Sequence, residues 1–140
     1  MLFTRRFALL FTLGWMLLTS PVSASGPPNG RFVFTNETAG QIGVTTAATS
    51  APIVAALGPP FNLTNFTAAG GVVLNPSASY TFTVLQGTYT IGAIDLTTTS
   101  TGAVASFITE SQHITAGFTD NVYIKPNTSP PPTIMFSSTP

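Results

Sequence analysis

"TFTVLQGTYTIGAIDL", residues 81–96, alternates hydroxyl-bearing and apolar side chains through two runs that meet at Gln86-Gly87. A period of two is the mark of a strand with one buried face, because successive side chains point to opposite sides of the pleat. Tyr80, Phe82 and Val84 fall on one side of the first run, and Thr81 and Thr83 fall on the other. Tyr89, Ile91 and Ala93 repeat the pattern in the second run. With a glycine at the junction, the two runs are expected to form an antiparallel hairpin with Phe82, Val84, Tyr89 and Ile91 buried. Threonine suits the wet face, being both β-branched and polar.

The same texture extends in both directions. "RFVFTN" at 31–36 and "GQIGVTT" at 40–46 precede the stretch; "VVLNP" at 72–76, "GAVASFITE" at 102–110 and "FTDNVYIK" at 118–125 complete the set of short runs punctuated by Gly, Pro and Asn. The signal weakens between 47 and 70. There "AATSAPIVAALGPPF" fits a single helical turn or a loose strand, and "FNLTNFTAAGG" reads as irregular. No segment sustains a capped 3.6-residue period. The expectation is an all-β chain, a single antiparallel β-sandwich of about seven to nine strands, Ig-like or jelly-roll-like, over residues 25–125.

Residues 126–140 change character. "PNTSPPP" is expected to form a stiff polyproline spacer reaching roughly 20 Å at about 3.1 Å per residue. The "TIMF" that follows is a short strand-like segment. It either folds back onto its own sheet or lies along the sheet of a neighbouring copy, which makes Ile134, Met135 and Phe136 candidate assembly residues.

At the other end, "MLFTRRFALLFTLGWMLLTSPVSASG" has the build of an export signal: Arg5 and Arg6, an apolar run from Phe7 to Leu18, and Val22-Ser23-Ala24 before the expected cut. The alternative, a retained anchor, needs about 20 apolar residues, more than the run supplies before Thr19-Ser20-Pro21. A twin-arginine signal is a weaker match, because Phe7 follows the arginines directly. Ordinary secretion to the periplasm, cell surface or medium is expected, with membrane contact only in transit. Removing 24 residues from 140 leaves 116, one domain's worth of chain.

The remaining charges are Arg31, Lys125, Glu37, Asp95, Glu110 and Asp120, two basic against four acidic, for a net of −2. That balance offers no basic patch for nucleic acid. The whole chain is 6% charged, where an ordinary soluble domain has about a quarter. Solvation must therefore come from Thr, Ser and Asn. Cysteine is absent, which removes disulfides, a thiol nucleophile and thiolate metal ligands together. Sequons stand at Asn36, Asn62, Asn65 and Asn127, each a glycosylation site only in a host that modifies exported chains.

Catalytic equipment is sparse. A Ser-His-acid arrangement would have to use His113, with Ser111 or Ser106 as nucleophile and Glu110, Asp95 or Asp120 as the orienting carboxylate; no G-x-S-x-G elbow supports it. Nothing in the sequence pairs two carboxylates for glycoside cleavage. A single histidine makes a transition-metal site improbable, and calcium on Asp95, Asp120 and Asn121 lacks a supporting loop motif. No cofactor is expected. The aromatic set Phe61, Phe66, Phe107, Phe118 and Tyr123 offers a stacking surface for a glycan or a greasy patch for a partner, unless it is core. The only tryptophan, Trp15, lies in the signal segment.

"LQGTYTIGAIDL" followed by "HITAGFTDNVYIK" resembles the G-x-Y-x-I-x-A and A-G-x-T-x-x-V-x-I patterns of small extracytoplasmic sandwich modules of the carboxypeptidase-regulatory and PEGA-like kind, over residues 79–125. The resemblance implies a non-catalytic surface domain and assigns no functional residue. Two functions follow as expectations: a structural or interaction domain that contacts copies of itself, and a module for carbohydrate or cell-wall polymer. A hydrolase built on His113 is the third.

Overall fold

β-Branched and aromatic residues at alternate positions build eight strands in the computed structural model, which describes residues 29–97, 106–129 and 131–140. They are β1 (Asn29–Asn36), β2 (Ile42–Ala47), β3 (Val72–Leu74), β4 (Ser79–Leu85), β5 (Gly87–Asp95), β6 (Phe107–Ile114), β7 (Thr119–Pro126) and β8 (Ile134–Ser137). The expected signal at 1–24, residues 102–105 of one expected strand and Pro130 lie outside the described residues.

The strands form two four-stranded sheets, in the orders β4-β1-β7-β8 and β3-β2-β5-β6. Phe32 and Phe34 of β1, Ile42 and Val44 of β2, Ile91 and Ala93 of β5, and Val122 and Ile124 of β7 interlock between them as the main core. The chain is thus a β-sandwich whose pairings are antiparallel except for β1 against β7, which run parallel with Phe34 beside Val122. Eighty-two residues of chain separate those two strands, ample for the crossover that a parallel pair requires.

The expected hairpin at Gln86-Gly87 is not formed. β4 pairs with β1 in the first sheet, and β5 pairs with β2 and β6 in the second. Only Gln86 separates them, and a hairpin needs about two loop residues. The chain turns a corner instead, through Gly87 at φ +154°, a conformation that a side chain disfavours. Of the four residues expected to be buried, Ile91 is fully so; Phe82, Val84 and Tyr89 are half-buried against the main core.

Segment 47–70 holds two helices where at most one turn was expected. α1 (Ser50–Leu57) carries Pro52 in its first turn, where no helical N–H is needed, and ends as Gly58 donates to the Val54 carbonyl before Pro59 and Pro60. Ile53 and Leu57, one turn apart, are its buried stripe. α2 (Leu63–Ala68) is capped by Asn62, whose Oδ1 accepts from the Asn65 N–H at 2.9 Å, and it buries Phe66. Both helices cover the outer face of the second sheet, where Ile53, Leu57 and Phe66 meet Ile94 and Leu96 in a second core. Glycines make the room. A Cβ on Gly92 would stand 2.6 Å from Ile53, and one on Gly71 2.4 Å from the Phe66 ring.

Candidate interaction surface

The two sheets differ on their outer sides. α1 and α2 cover the second sheet, whereas among the described residues the outer face of the first is open and presents Ser79, Thr81, Thr83 and Leu85 from β4, Arg31, Val33 and Thr35 from β1, Thr119 and Tyr123 from β7, and Met135 from β8. Ladder neighbours share hydrogen bonds here, as Thr35 Oγ1 and Ser79 Oγ do at 2.8 Å. This is the hydroxyl coat announced by the threonine alternation. Its charges are Arg31 and Lys125, the latter 3.6 Å from Glu37. Beside Arg31, at the end of β1, Phe118 projects with 66% of its surface exposed.

A second feature lies between the sheets, on the side where β6 faces β8. Inward positions of β6 run Ile108, Glu110, Gln112, Ile114, so two polar residues interrupt the apolar series exactly where a closed core would need none. With Asp120, Asn121, Phe136 and Ser137 they line a cleft of about 440 Å³. Gln112 Nε2 donates to Glu110 Oε1 at 2.6 Å, leaving Glu110 as an acceptor at the cleft wall. Carboxylate, amide and hydroxyl groups beside one aromatic ring suit a ligand rich in hydroxyls. The pairing of Glu110 with Asp120 in one cleft was not legible in the sequence. The polar breaks in the β6 alternation were its only trace.

The expected site residues are distributed differently from the sequence reading. Phe66 is buried and Phe61 lies half-buried against it, ring centres 5.5 Å apart, so both belong to the packing under α2 rather than to a stacking surface. Ile134 is buried in the main core; Met135 is 43% exposed and Phe136 half-buried. β8 pairs antiparallel with β7 of its own chain, so "TIMF" closes its own sheet. The expected extended spacer is not formed, because the described residues on either side of Pro130 meet: Asn127 N–H donates to the Thr133 carbonyl at 2.9 Å and Asn127 Nδ2 to the Pro132 carbonyl at 2.8 Å.

Two of the four sequon asparagines are structural. Asn127 makes those bonds to Thr133 and Pro132, and Asn36 has no exposed surface: its Nδ2 donates to the carbonyls of Gly40 and Leu74. Asn62 and Asn65 are exposed on α2. Asp95 is buried at the end of β5, where its Oδ1 accepts from the Thr97 N–H and hydroxyl and its Oδ2 from the Thr133 hydroxyl at 2.8 Å. This clip ties the start of β8 to the opposite sheet. It also separates Asp95 from Asp120, which stands at the far end of β7, six residues or roughly 20 Å along the strand. The calcium set of Asp95, Asp120 and Asn121 is therefore not assembled.

His113 is exposed on β6, with Nδ1 3.2 Å from Thr88 Oγ1. Ser111 shares its face of the strand, while Glu110 points into the cleft on the other side. Among the described residues no group of three or more His, Cys, Asp or Glu is placed to hold a metal ion, and no helix is long and apolar enough to cross a membrane. The chain matches no protein-family model, and no curated protein or solved structure is similar to it at a significant level.

Proposed function

We propose that the chain is a secreted or cell-surface β-domain that acts by contact, associating with copies of itself through its open sheet, and that it carries out no chemistry of its own. The observation behind this reading is the asymmetry of the sandwich: one outer face covered by helices, the other uncovered among the described residues, rich in hydroxyls and low in charge. Low charge removes the self-repulsion that keeps ordinary domains apart. The export signal at 1–24, the likeness to carboxypeptidase-regulatory and PEGA-like modules, and an Ig-like or jelly-roll-like strand order all belong to the same proposal. Sedimentation of the exported chain over a wide concentration range tests it, with intact mass locating the amino terminus near Ser25. Reversible self-association is expected. A monomer at every concentration, or a mass retaining residues 1–24, would count against it.

A second reading, a module for carbohydrate or cell-wall polymer, is favoured by the polar inward positions Glu110, Gln112 and Asp120. Binding to a glycan array that is lost in Glu110→Gln and Gln112→Ala would establish it. The hydrolase reading is the least supported, because Ser111 and His113 share a face of β6 that Glu110 does not.

A further inference from the structure

Each sheet has two outer strands, and three of the four are guarded. β3 offers three residues before Asn75-Pro76, and β8 offers four after Pro131-Pro132. β6 is long but carries Glu110 and His113. Shortness, proline and charge are the devices that stop a sheet edge from recruiting another strand. β4 has none of them: Ser79–Leu85, "SYTFTVL", is seven residues without charge, proline or glycine, and it ends the first sheet among the described residues.

The side chains of β4 are also incompletely covered. β3 lies across from it in the other sheet, and three residues cannot roof seven. Phe82 and Val84 are therefore only half-buried although they face the core, and Tyr80 at the start of the strand is 43% exposed; Leu85, on the outer side with Thr81 and Thr83, is 49% exposed. An aromatic row runs from the interior to the surface, with ring centres 5.5 Å apart from Phe34 to Phe82 and 4.9 Å from Phe82 to Tyr80.

We propose that two copies of the chain pair antiparallel along β4, joining their first sheets into one eight-stranded sheet across a two-fold axis at Phe82. This inference rests on the self-association reading and places the contact at the β4 edge of the open sheet rather than on its outer face. In that register Tyr80 of one copy lies opposite Val84 of the other, an aromatic against a β-branched residue, on the half-roofed inner side. Thr81 lies opposite Thr83 on the outer side, and Ser79 opposite Leu85. The strand is its own complement, and the absence of charge leaves nothing to repel a second copy. A two-fold contact of this kind closes on itself and gives a dimer rather than a fibre.

The register supplies the test. Thr81→Lys with Thr83→Lys sets lysine against lysine across the axis twice, and Thr81→Glu with Thr83→Glu does the same with carboxylates. Both positions are exposed, and far-UV circular dichroism verifies that each variant is folded. Sedimentation is expected to show a dimer for the exported wild-type chain and dissociation constants raised about tenfold or more in each charged variant. An equimolar mixture of the two variants is expected to recover the dimer. An oligomer indifferent to both variants, or a mixture that stays monomeric, would overturn the β4 pairing while leaving self-association through another surface standing. A wild-type chain monomeric at every concentration would overturn both.

Discussion

Replacing Asn36 by alanine tests whether this buried amide, and not only the apolar core, holds the two sheets together. Asn36 ends β1 in the first sheet, and its Nδ2 donates to the Leu74 carbonyl of β3 in the second at 3.0 Å and to the Gly40 carbonyl at 2.8 Å. Its Oδ1 accepts from the Thr38 N–H at 2.9 Å and from the Thr38 hydroxyl at 2.8 Å. In the alanine variant the Thr38 hydroxyl still reaches the Gly40 carbonyl, at 3.1 Å, so that acceptor keeps a partner. The Thr38 N–H loses its acceptor, and the Leu74 carbonyl, which also faces Ile42 in the β2–β3 ladder, loses the bond that crosses between the sheets. One part-buried donor stranded and one inter-sheet bond lost place the cost at about 1–3 kcal/mol. That is a substantial part of the roughly 5–15 kcal/mol by which a domain is stable. Urea unfolding followed by circular dichroism should show a lower midpoint with an unchanged slope. Thr35→Ala, which removes an exposed hydroxyl bond to Ser79, is the control and should stay within about 0.5 kcal/mol. The same geometry bears on modification, since both Nδ2 hydrogens are used and a glycan would replace one. A loss below about 1 kcal/mol for Asn36→Ala, or a sugar on Asn36 of the folded chain, would show that this amide does not tie the two sheets together.

Phe34→Ala, which empties a fully buried site, should cost about 3–5 kcal/mol, and Phe82→Ala, half-buried at the edge, markedly less; Thr83→Ala should be near neutral. Equal costs at 82 and 83 in urea titrations would mean that the face assignment of β4 is wrong. Gly71→Ala drives a methyl to 2.4–2.5 Å from three atoms of the Phe66 ring, a rigid neighbour, and should lower stability by about 1–3 kcal/mol. An unchanged melting temperature would show that α2 is not seated as described. Asp95→Ala removes the acceptor of the Thr133 hydroxyl and should loosen the tail, read as faster amide exchange at Ile134 to Ser137 than in the core strands. Uniform exchange in both would contradict a role for the clip.

The strands were legible because alternation is a local property, and the faces of β1, β2 and β7 follow from Phe32, Phe34, Ile42, Val44, Val122 and Ile124 alone. Pairing is not local. Gln86-Gly87 marks a reversal, yet the period-two pattern on either side is the same whether the next strand pairs with the last or crosses to the other sheet. A finer clue was present in "IGAIDL": after Tyr89 the alternation fails, and Gly92 and Ile94 are buried on the face opposite Ile91 and Ala93. A strand apolar on both sides needs a layer over each. That requirement, with Gly43 and Gly92 cleared of side chains, is the trace that α1 and α2 leave in the sequence. The tail misled for a related reason, since proline content sets stiffness but says nothing of the bonds that bring Asn127 back to Pro132 and Thr133.

The strand proposed for self-contact and the cleft lie on opposite sides of the sandwich. β4 and its half-roofed aromatics form one border of the first sheet, whereas Glu110, Gln112, Asp120 and Phe136 line the cleft at the other border, beneath β7 and β8. A dimer closed along β4 would bury the first border in both copies and direct the two clefts outward, at opposite ends of the joined sheet. The self-association and polymer-binding readings are then not rivals. A ligand with many repeating units would meet two clefts on one rigid body, and the second would engage at the high effective concentration that a fixed spacing confers. Weak individual binding, of the kind a shallow polar cleft supports, would suffice for a firm hold on a polymer. In this arrangement the threonines would keep the outer face wet, while β4 itself carries no charge that would forbid it from meeting its twin.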